Sequence, residues 1–500
     1  MLAGVINTNV NALYALNALN NNANTTNTLE QQLSTGLSIN SPADNPAGYI
    51  AAQGFTAQIS GITQATSNAN QAISLVQTAD GAITQQVNIL QNISSIANQA
   101  ANGGATAQQL AALQQVVSQL QTQVSTIAQQ TNFNGVNLLD GSFQGINFQV
   151  GATDGQTIGL SIANSAANAI GAYQSSANTG AGIFKVNGVG TGAVADNTGA
   201  SYAITSAGGA FTAGTFGVSG SAGNATITVS AATESALGVA QAINNATSKT
   251  NVSAVADTSV AFTVTAGSFS FVLGNGTGAS PTNTVTINAS VTSVSQAGLA
   301  SLVDQINQAT GQTGITASVN SSNQLVLTQA QGDNISISGF SGTGSLAAGG
   351  TTTTTIEASG GTTAATIQGL VTLQSNQSFA LSAGASDIGL NTTSALSALS
   401  SINVSTAAGA SAALNVVAFA LQQLESVGSQ LGAVQQRLQA TVANLQTTNT
   451  NLTAARSVVQ DANIPEVTTR LTQAEILQQA GVSALAQSSQ LQQSFLKLLQ

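Results

Sequence analysis

Cysteine, histidine and tryptophan are all absent from this chain. Without thiol or imidazole there is no disulfide, no zinc site of the usual ligand sets, and no Ser-His or Cys-His nucleophile pair. Most hydrolytic chemistries fall away. Cations are almost as scarce: Lys185, Lys249, Arg437, Arg456, Arg470 and Lys497 are the full set. They form no patch able to neutralise a phosphate backbone or an anionic lipid surface, so neither nucleic acid nor a membrane is expected as a partner. No Lys or Arg precedes Lys185 and no long apolar run stands near Met1, so neither a general secretory nor a twin-arginine signal peptide is expected. No stretch reads as a transmembrane span.

Charged residues make up 4% of the chain, against about 25% in ordinary soluble proteins. Gln, Asn, Ser and Thr fill the gap, giving a surface that is polar without being charged. A compositional habit of the host would explain this; exposure to acid would explain it too. With six basic side chains and one amino terminus the net charge never exceeds about +7, however low the pH.

What the chain does have is period. Val417, Leu424, Leu431, Leu438, Leu445, Leu452 and Val459 recur every seventh residue, and Ala420, Val427, Val434, Thr441, Thr448 and Ala455 supply the intervening register. That 3-4 alternation is a coiled-coil seam. The matching seam lies at the other end, in Ile62, Ala69, Val76, Ile83, Leu90 and Ala97, with a further one in Leu110, Leu113, Val117, Leu120, Val124 and Ile127. Before these, Leu2, Ile6, Val10, Leu13, Leu16 and Leu19 follow helical spacing, continued by Leu29, Leu33 and Leu37. The pattern stops at Ser41-Pro42-Ala43-Asp44, where Ser41 is placed to cap the next helix, so a joint is expected near residues 38 to 48. That helix is expected to end near Ala101, before Asn102-Gly103-Gly104, and the following one to run from about Thr106 to Gln130.

Beyond the helices, Ile146, Phe148, Val150 and Ile158, Leu160, Ile162 alternate about a Gly151 to Gly155 bend, which reads as a β-hairpin. From about Gly180 to Leu390 the chain changes to short alternating runs of Gly, Ser, Thr and Val, the signature of β-rich modules. An internal repeat lies within them: Ile243-Asn244-Asn245-Ala246-Thr247 returns as Ile306-Asn307-Gln308-Ala309-Thr310, Val252-Ser253-Ala254 as Ile315-Thr316-Ala317, and Phe262 to Thr265 as Leu325 to Thr328. The fold class is therefore α+β and multidomain, a long terminal α-helical coiled-coil bundle with a β-hairpin, plus inserted β-rich central domains.

Both ends resemble bacterial flagellin, over roughly residues 1 to 162 and 400 to 500. The N-terminal signature is similar to Leu33-Ser-Thr-Gly-Leu37-Ser-Ile-Asn-Ser41-Pro-Ala-Asp44-Asn-Pro-Ala-Gly48, followed in order by Gln77-Thr-Ala-Asp80-Gly-Ala82, Thr131-Asn-Phe-Asn-Gly135 and Leu138-Leu139. The C-terminal pattern is matched by Leu431-Gly-Ala-Val-Gln-Gln-Arg-Leu438, Asn444-Leu445, Asp461-Ala462 and Ile476-Leu-Gln-Gln-Ala-Gly481. The repeated unit also resembles a module carried by flagellins and hook-associated proteins.

The resemblance implies a helical homopolymer with residues 1–44 and 456–500 as inner-tube helices. It implies an outer layer from 45–180, including the hairpin, and from a returning helix over 395–455. An exposed domain spans 181–394, with modules at about 233–272 and 296–339. It further implies export through the flagellar channel, an export chaperone, and contacts with hook-associated and cap proteins, in a secreted, extracellular filament. Lack of cysteine suits a chain threaded unfolded through a channel. Where the resembling proteins carry charge toward the host innate immune receptor, this chain has Asn92, Ser94, Ser95 and Gln123, so weak or no activation is expected.

An apolar stripe on a lone terminal helix has nothing of its own to bury against, and Leu471, Ile476, Leu477, Val482, Leu485, Leu491, Phe495 and Leu498 repeat the problem at the C-terminus. Self-assembly is expected to cover them, through Leu2, Ile6, Leu13, Leu16, Leu33, Ile62, Val76, Ile83, Leu90, Leu424, Leu431, Leu438, Leu445, Leu452, Leu477, Leu485 and Leu498. Asn9, Asn20 and Asn27 either set register across a seam or face solvent. No catalytic, cofactor or metal constellation is present: Glu234, Asp257, Asp304, Asp333, Glu357 and Asp387 are scattered without paired or calcium-loop spacing. Asn224, Asn245 and Asn288 stand in glycosylation sequons. The expected role is a filament subunit for swimming; a hook-filament junction protein and a secreted adhesin working through the β-rich middle are the alternatives.

Overall fold

A computed structural model describes residues 9–102, 104–175, 182–186, 192–195, 201–205, 214–229, 235–276, 282–320, 322–348, 354–358, 364–382 and 390–498. In chain order the helices are α1 (Val10–Thr35), α2 (Pro46–Ala101), α3 (Ala107–Gln130), α4 (Ala236–Asn244), α5 (Thr247–Thr250), α6 (Gln296–Gln308), α7 (Thr310–Thr313), α8 (Ala407–Gln460) and α9 (Ile464–Leu498). By compactness the chain divides into two units. One comprises Met1–Gln77, Gly145–Ser161 and Leu431–Gln500; the other comprises Thr78–Gln144 and Ile162–Gln430.

Helix α2 carries the expected seam along its length, with Ile62, Ala69, Val76, Ile83, Leu90 and Ala97 all buried. A second register is equally buried: Ala65, Ala72, Ala79, Gln86, Ile93 and Ala100. Together they complete the heptad that the large apolar residues only half revealed, because four of these six positions are alanine and one is glutamine. On α8, Val417, Leu424, Leu431 and Leu438 are buried, while Leu445, Leu452 and Val459 are half-buried.

In the first unit α2 and α8 run antiparallel, with Asn449 Nδ2 donating to Thr63 Oγ1 at 3.3 Å. The expected hairpin forms from Ile146–Gln149 and Thr157–Leu160, with Phe148 opposite Ile158. Its second strand points Ile158 and Leu160 inward, whereas Ile146 is exposed, so only one strand follows the alternation fully. Asn68 Nδ2 holds Gln149 O at 3.0 Å. Gly61 lets the hairpin tip approach α2: a Cβ there would stand 2.9 Å from Ala152 Cβ.

The joint differs from expectation. Ser41 does not cap α2; Asp44 closes a turn by accepting from Ser41 N at 2.8 Å and Asn40 N at 2.9 Å, and α2 starts at Pro46 after Asn45, whose side chain takes Gly48 N at 3.0 Å. Asn45 outcompetes Ser41 because Pro46 then falls at the first helical position, where a missing N–H costs nothing. At the far end α8 continues to Gln460 rather than stopping at 455, and Pro465 sits in the first turn of α9.

The second unit joins α3 to α2 through Gln86 Nε2, which donates to Val124 O at 3.0 Å and to Ser165 O at 3.2 Å. Thr106 and Gln109 form a reciprocal capping box at the start of α3. The returning helix begins at Ala407, not near 395. Ala395–Ala398 is a strand paired with Gly171–Ser175, a single 3-10 turn follows at Leu399–Ser401, and Gln114 Oε1 then accepts Val404 N at 2.6 Å.

The β region of this unit has two cores. Strand Ser253–Val264 serves both: its first half pairs with Leu370–Ser375 and buries Ala254 and Ala256 beside Val239, Ile243 and Leu373. Its second half pairs with Leu325–Gln329 and buries Val260, Phe262 and Val264 beside Leu302, Ile306 and Leu327. The repeat is preserved in its polar detail. Asn244 bridges both backbone groups of Ala254 at 2.7 and 2.9 Å, and Asn307 bridges those of Ala317 at 2.7 and 3.0 Å. Thr247 and Thr310 donate to Val252 O and Ile315 O at 3.0 and 2.8 Å. The copies then diverge, since the unbroken strand of the first corresponds to a hairpin, Ile315–Val319 and Leu325–Gln329, in the second. Asn320 turns that hairpin, its Oδ1 accepting Gln324 N at 2.9 Å.

Candidate assembly surface on the terminal helices

Helices α1 and α9 pair antiparallel in the first unit. Asn9 caps α1 by accepting Ala12 N at 2.9 Å and reaches across to Ser488 Oγ at 3.2 Å; Asn22 Nδ2 donates to Ala474 O at 2.6 Å. Leu29, Val467 and Ala474 form a small core with Ala462 and Leu471. Where the helices meet the joint, a backbone clasp ties both chain crossings together: Ser38 N donates to Gln460 O at 2.7 Å and Ala462 N to Gly36 O at 2.8 Å. Of the three amides expected at a seam, Asn9 crosses to the partner helix while Asn20 and Asn27 are exposed; the second crossing amide is Asn22, which the heptad reading passed over.

A pair of helices buries one stripe on each, and these two have more apolar surface than one stripe. Leu13 is 55% exposed, Leu16 44%, Leu477 54% and Val482 53%. With Asn9, Ala12, Leu485, Ala486 and Ser489, three of these line an open groove of about 660 Å³. Leaving a Leu or Val in water forgoes about 1.5–3 kcal/mol of burial, so several together make a surface that favours association. Charge contributes little. Glu466 and Arg470 pair at 2.6 Å across one helical turn, well exposed, and such a pair is worth about 0.3–0.5 kcal/mol.

The structure sorts the residues expected to meet neighbouring subunits. Leu13, Leu16, Leu33 and Leu477 are exposed and Leu445, Leu452 and Leu485 half-buried, so all are open to a partner. Ile62, Val76, Ile83, Leu90, Leu424, Leu431 and Leu438 are not: each is enclosed within the single chain. Their periodicity reports the intrachain seam, which leaves nothing for a neighbour to touch. Leu2, Ile6 and the side chain of Leu498 lie outside the described residues. Sequence reading missed Tyr14, Ile50 and Val458, which are 71%, 72% and 87% exposed and stand outside every heptad register.

Among the described residues no three acidic side chains cluster to hold a metal. Helix α8 is long and apolar enough to cross a membrane by length and composition, contrary to expectation, but its seam residues Val417 and Leu424 are packed against protein.

A protein whose termini form an under-buried helical pair, with β-rich modules inserted between, belongs to the class of self-assembling structural subunits. Profiles of the bacterial flagellin N-terminal helical region, C-terminal helical region and flagellin hook IN motif match residues 6–144, 414–499 and 269–331. The chain is 37% identical to B-type flagellin of Pseudomonas aeruginosa and 30% identical to flagellin of Salmonella typhimurium, each covering 100% of both chains. Solved structures similar to it include FliC from Burkholderia pseudomallei, at 21% identity and TM-score 0.29 over 73% of this chain and 99% of that one. The FlgL structure from Xanthomonas campestris matches at 12% identity and TM-score 0.33 over 80% and 98%. The chain belongs to the bacterial flagellin family, and it polymerises with itself into the extracellular flagellar filament that serves motility.

Proposed function

We propose that the exposed faces of α1 and α9 are the surface through which one subunit binds the next, with Leu13, Leu16, Leu33, Leu477 and Leu485 at its centre and Leu2, Ile6 and Leu498 extending it. The half-buried end of the α8 seam, Leu445 and Leu452, forms a second contact region. The observation that carries this is the groove between the helices, open and lined by the apolar side chains of Leu13, Leu16, Val482 and Leu485. Because the two contacting faces of a subunit differ, the contact propagates as an open helix. Residues 1–44 and 456–500 then line the inner tube, 45–180 and 395–455 the surrounding layer, and 181–394 the outside.

The subunit leaves the cell unfolded by flagellar export, escorted by a chaperone, and meets hook-associated and cap proteins at the filament ends. Its role is structural, with no catalysis and no cofactor. Asn92, Ser94, Ser95 and Gln123 withhold the charges a host innate immune receptor would grip, so activation is weak or nil.

The test is Leu13→Asp combined with Leu16→Asp. Sedimentation should show polymer formation lost, while circular dichroism retains the helices of the two units. Polymer yield equal to the unaltered chain would remove these residues from the interface.

A further inference from the structure

The contacts that fix this subunit are made by neutral amides and hydroxyls where proteins commonly use ions. Asn9 and Asn22 cross from α1 to α9; Gln86 ties α2 to α3; Gln121 Nε2 holds Leu399 O at 2.7 Å. Gln423 joins α8 to the β region by accepting Gly171 N at 3.0 Å and donating to Asn376 O. Glu466 with Arg470 is the one ion pair between described residues. On α1 the ionisable side chains are Tyr14 and Glu30; on α9 they are Glu466, Arg470, Glu475 and Lys497. Neither Glu30 nor Glu475 makes an ion pair with a described residue, and both are exposed. Protonating the carboxylates therefore breaks few contacts, and the few cations left behind repel weakly.

We propose that the filament built from this chain is acid-persistent, staying assembled through the pH range in which ordinary carboxylates titrate. Among the carboxylates that hold structure, two that close turns support this. Asp44 is held below the ordinary value of 3.8 chiefly by the Ser41 and Asn40 backbone amides, and Asp140 chiefly by the Ser142 hydroxyl and amide. Their contribution is complete above the ordinary carboxylate value and fades only as pH falls through the lowered one. Asp333 moves the other way, raised by burial, so acid relieves rather than adds a cost there.

The experiment takes native filaments from pH 7 to pH 2.5 and pellets them beside filaments of a flagellin with the usual share of charge, about 25%. Half-dissociation at least one pH unit below the comparator is expected; a midpoint equal to or above the comparator's overturns the proposal. A second arm uses Asn22→Asp. Ionised, that side chain faces Ala474 O with no hydrogen to give; protonated, it can donate again. Its critical concentration should be at least tenfold higher at pH 7 than at pH 4. A pH-independent value, or no assembly at either pH, counts against neutral amides as the cause. Both arms read how assembly changes with pH, so they stand apart from the Leu13 and Leu16 test of where the interface lies.

Discussion

Gln86 occupies a position in the α2 seam where a heptad calls for an apolar side chain, and it is fully buried there. Its amide nitrogen reaches Val124 O and Ser165 O, which offsets part of the cost of burial, while its Oε1 is buried without a hydrogen-bond partner. Truncation by Gln86→Ala removes both bonds and opens a cavity, and should cost about 1–3 kcal/mol in urea unfolding. Asp44 makes a different kind of residue-scale statement. Its lowered pKa means the turn it closes is stabilised above the ordinary carboxylate value of 3.8 and loses that support as pH falls through the lowered one. The stability gap between the unaltered chain and Asp44→Ala should accordingly be wider at pH 6 than at pH 2.5, read by urea unfolding at both. Neither residue was legible for its role: Gln86 breaks the periodicity that reveals a seam, and Asp44 was read as part of a helix cap rather than as the closure of a turn.

Among the elements, helices were the most readable. The end of α2, the limits of α3 and the heptad faces follow from period and from Gly and Thr signals, which act locally. The start of α8 was not, because Ser400 to Thr406 is held out of the helix by Gln114 on α3, a contact distant in sequence. The repeated β modules were recognisable from their matching residues, yet the sequence did not tell that Asn244 and Asn307 are the pins that hold helix to strand. Asn307→Ala leaves both backbone groups of Ala317 without that partner, and should destabilise the second core by about 1–3 kcal/mol. Hydrogen exchange of the strand Ile315–Val319 would report it, with faster exchange there than in α3 as the expected result.

For the whole molecule, the β-rich insertion enters and leaves by adjacent strands, Gln174 lying opposite Ala395. Joining Ser175 to Ser394 through an Asn-Gly turn should therefore close a hairpin and leave the helical parts intact. Electron microscopy of the shortened protein is expected to show filaments of reduced diameter. Helical monomers that never polymerise would instead make the insertion part of the assembly machinery.

By itself the sequence determined the helical ends, their seams, the duplicated β unit, the near-absence of charge and the resemblance to flagellin, because each is written in short-range pattern or in composition. Tertiary structure alone decided which apolar residues remain available to another subunit. Ile83 and Leu431, like Leu13 and Leu477, are apolar residues of long helices that need covering, but the first two are covered by their own chain and the last two are not. Periodicity states that a face must be buried; only the fold supplies, or withholds, the surface that buries it.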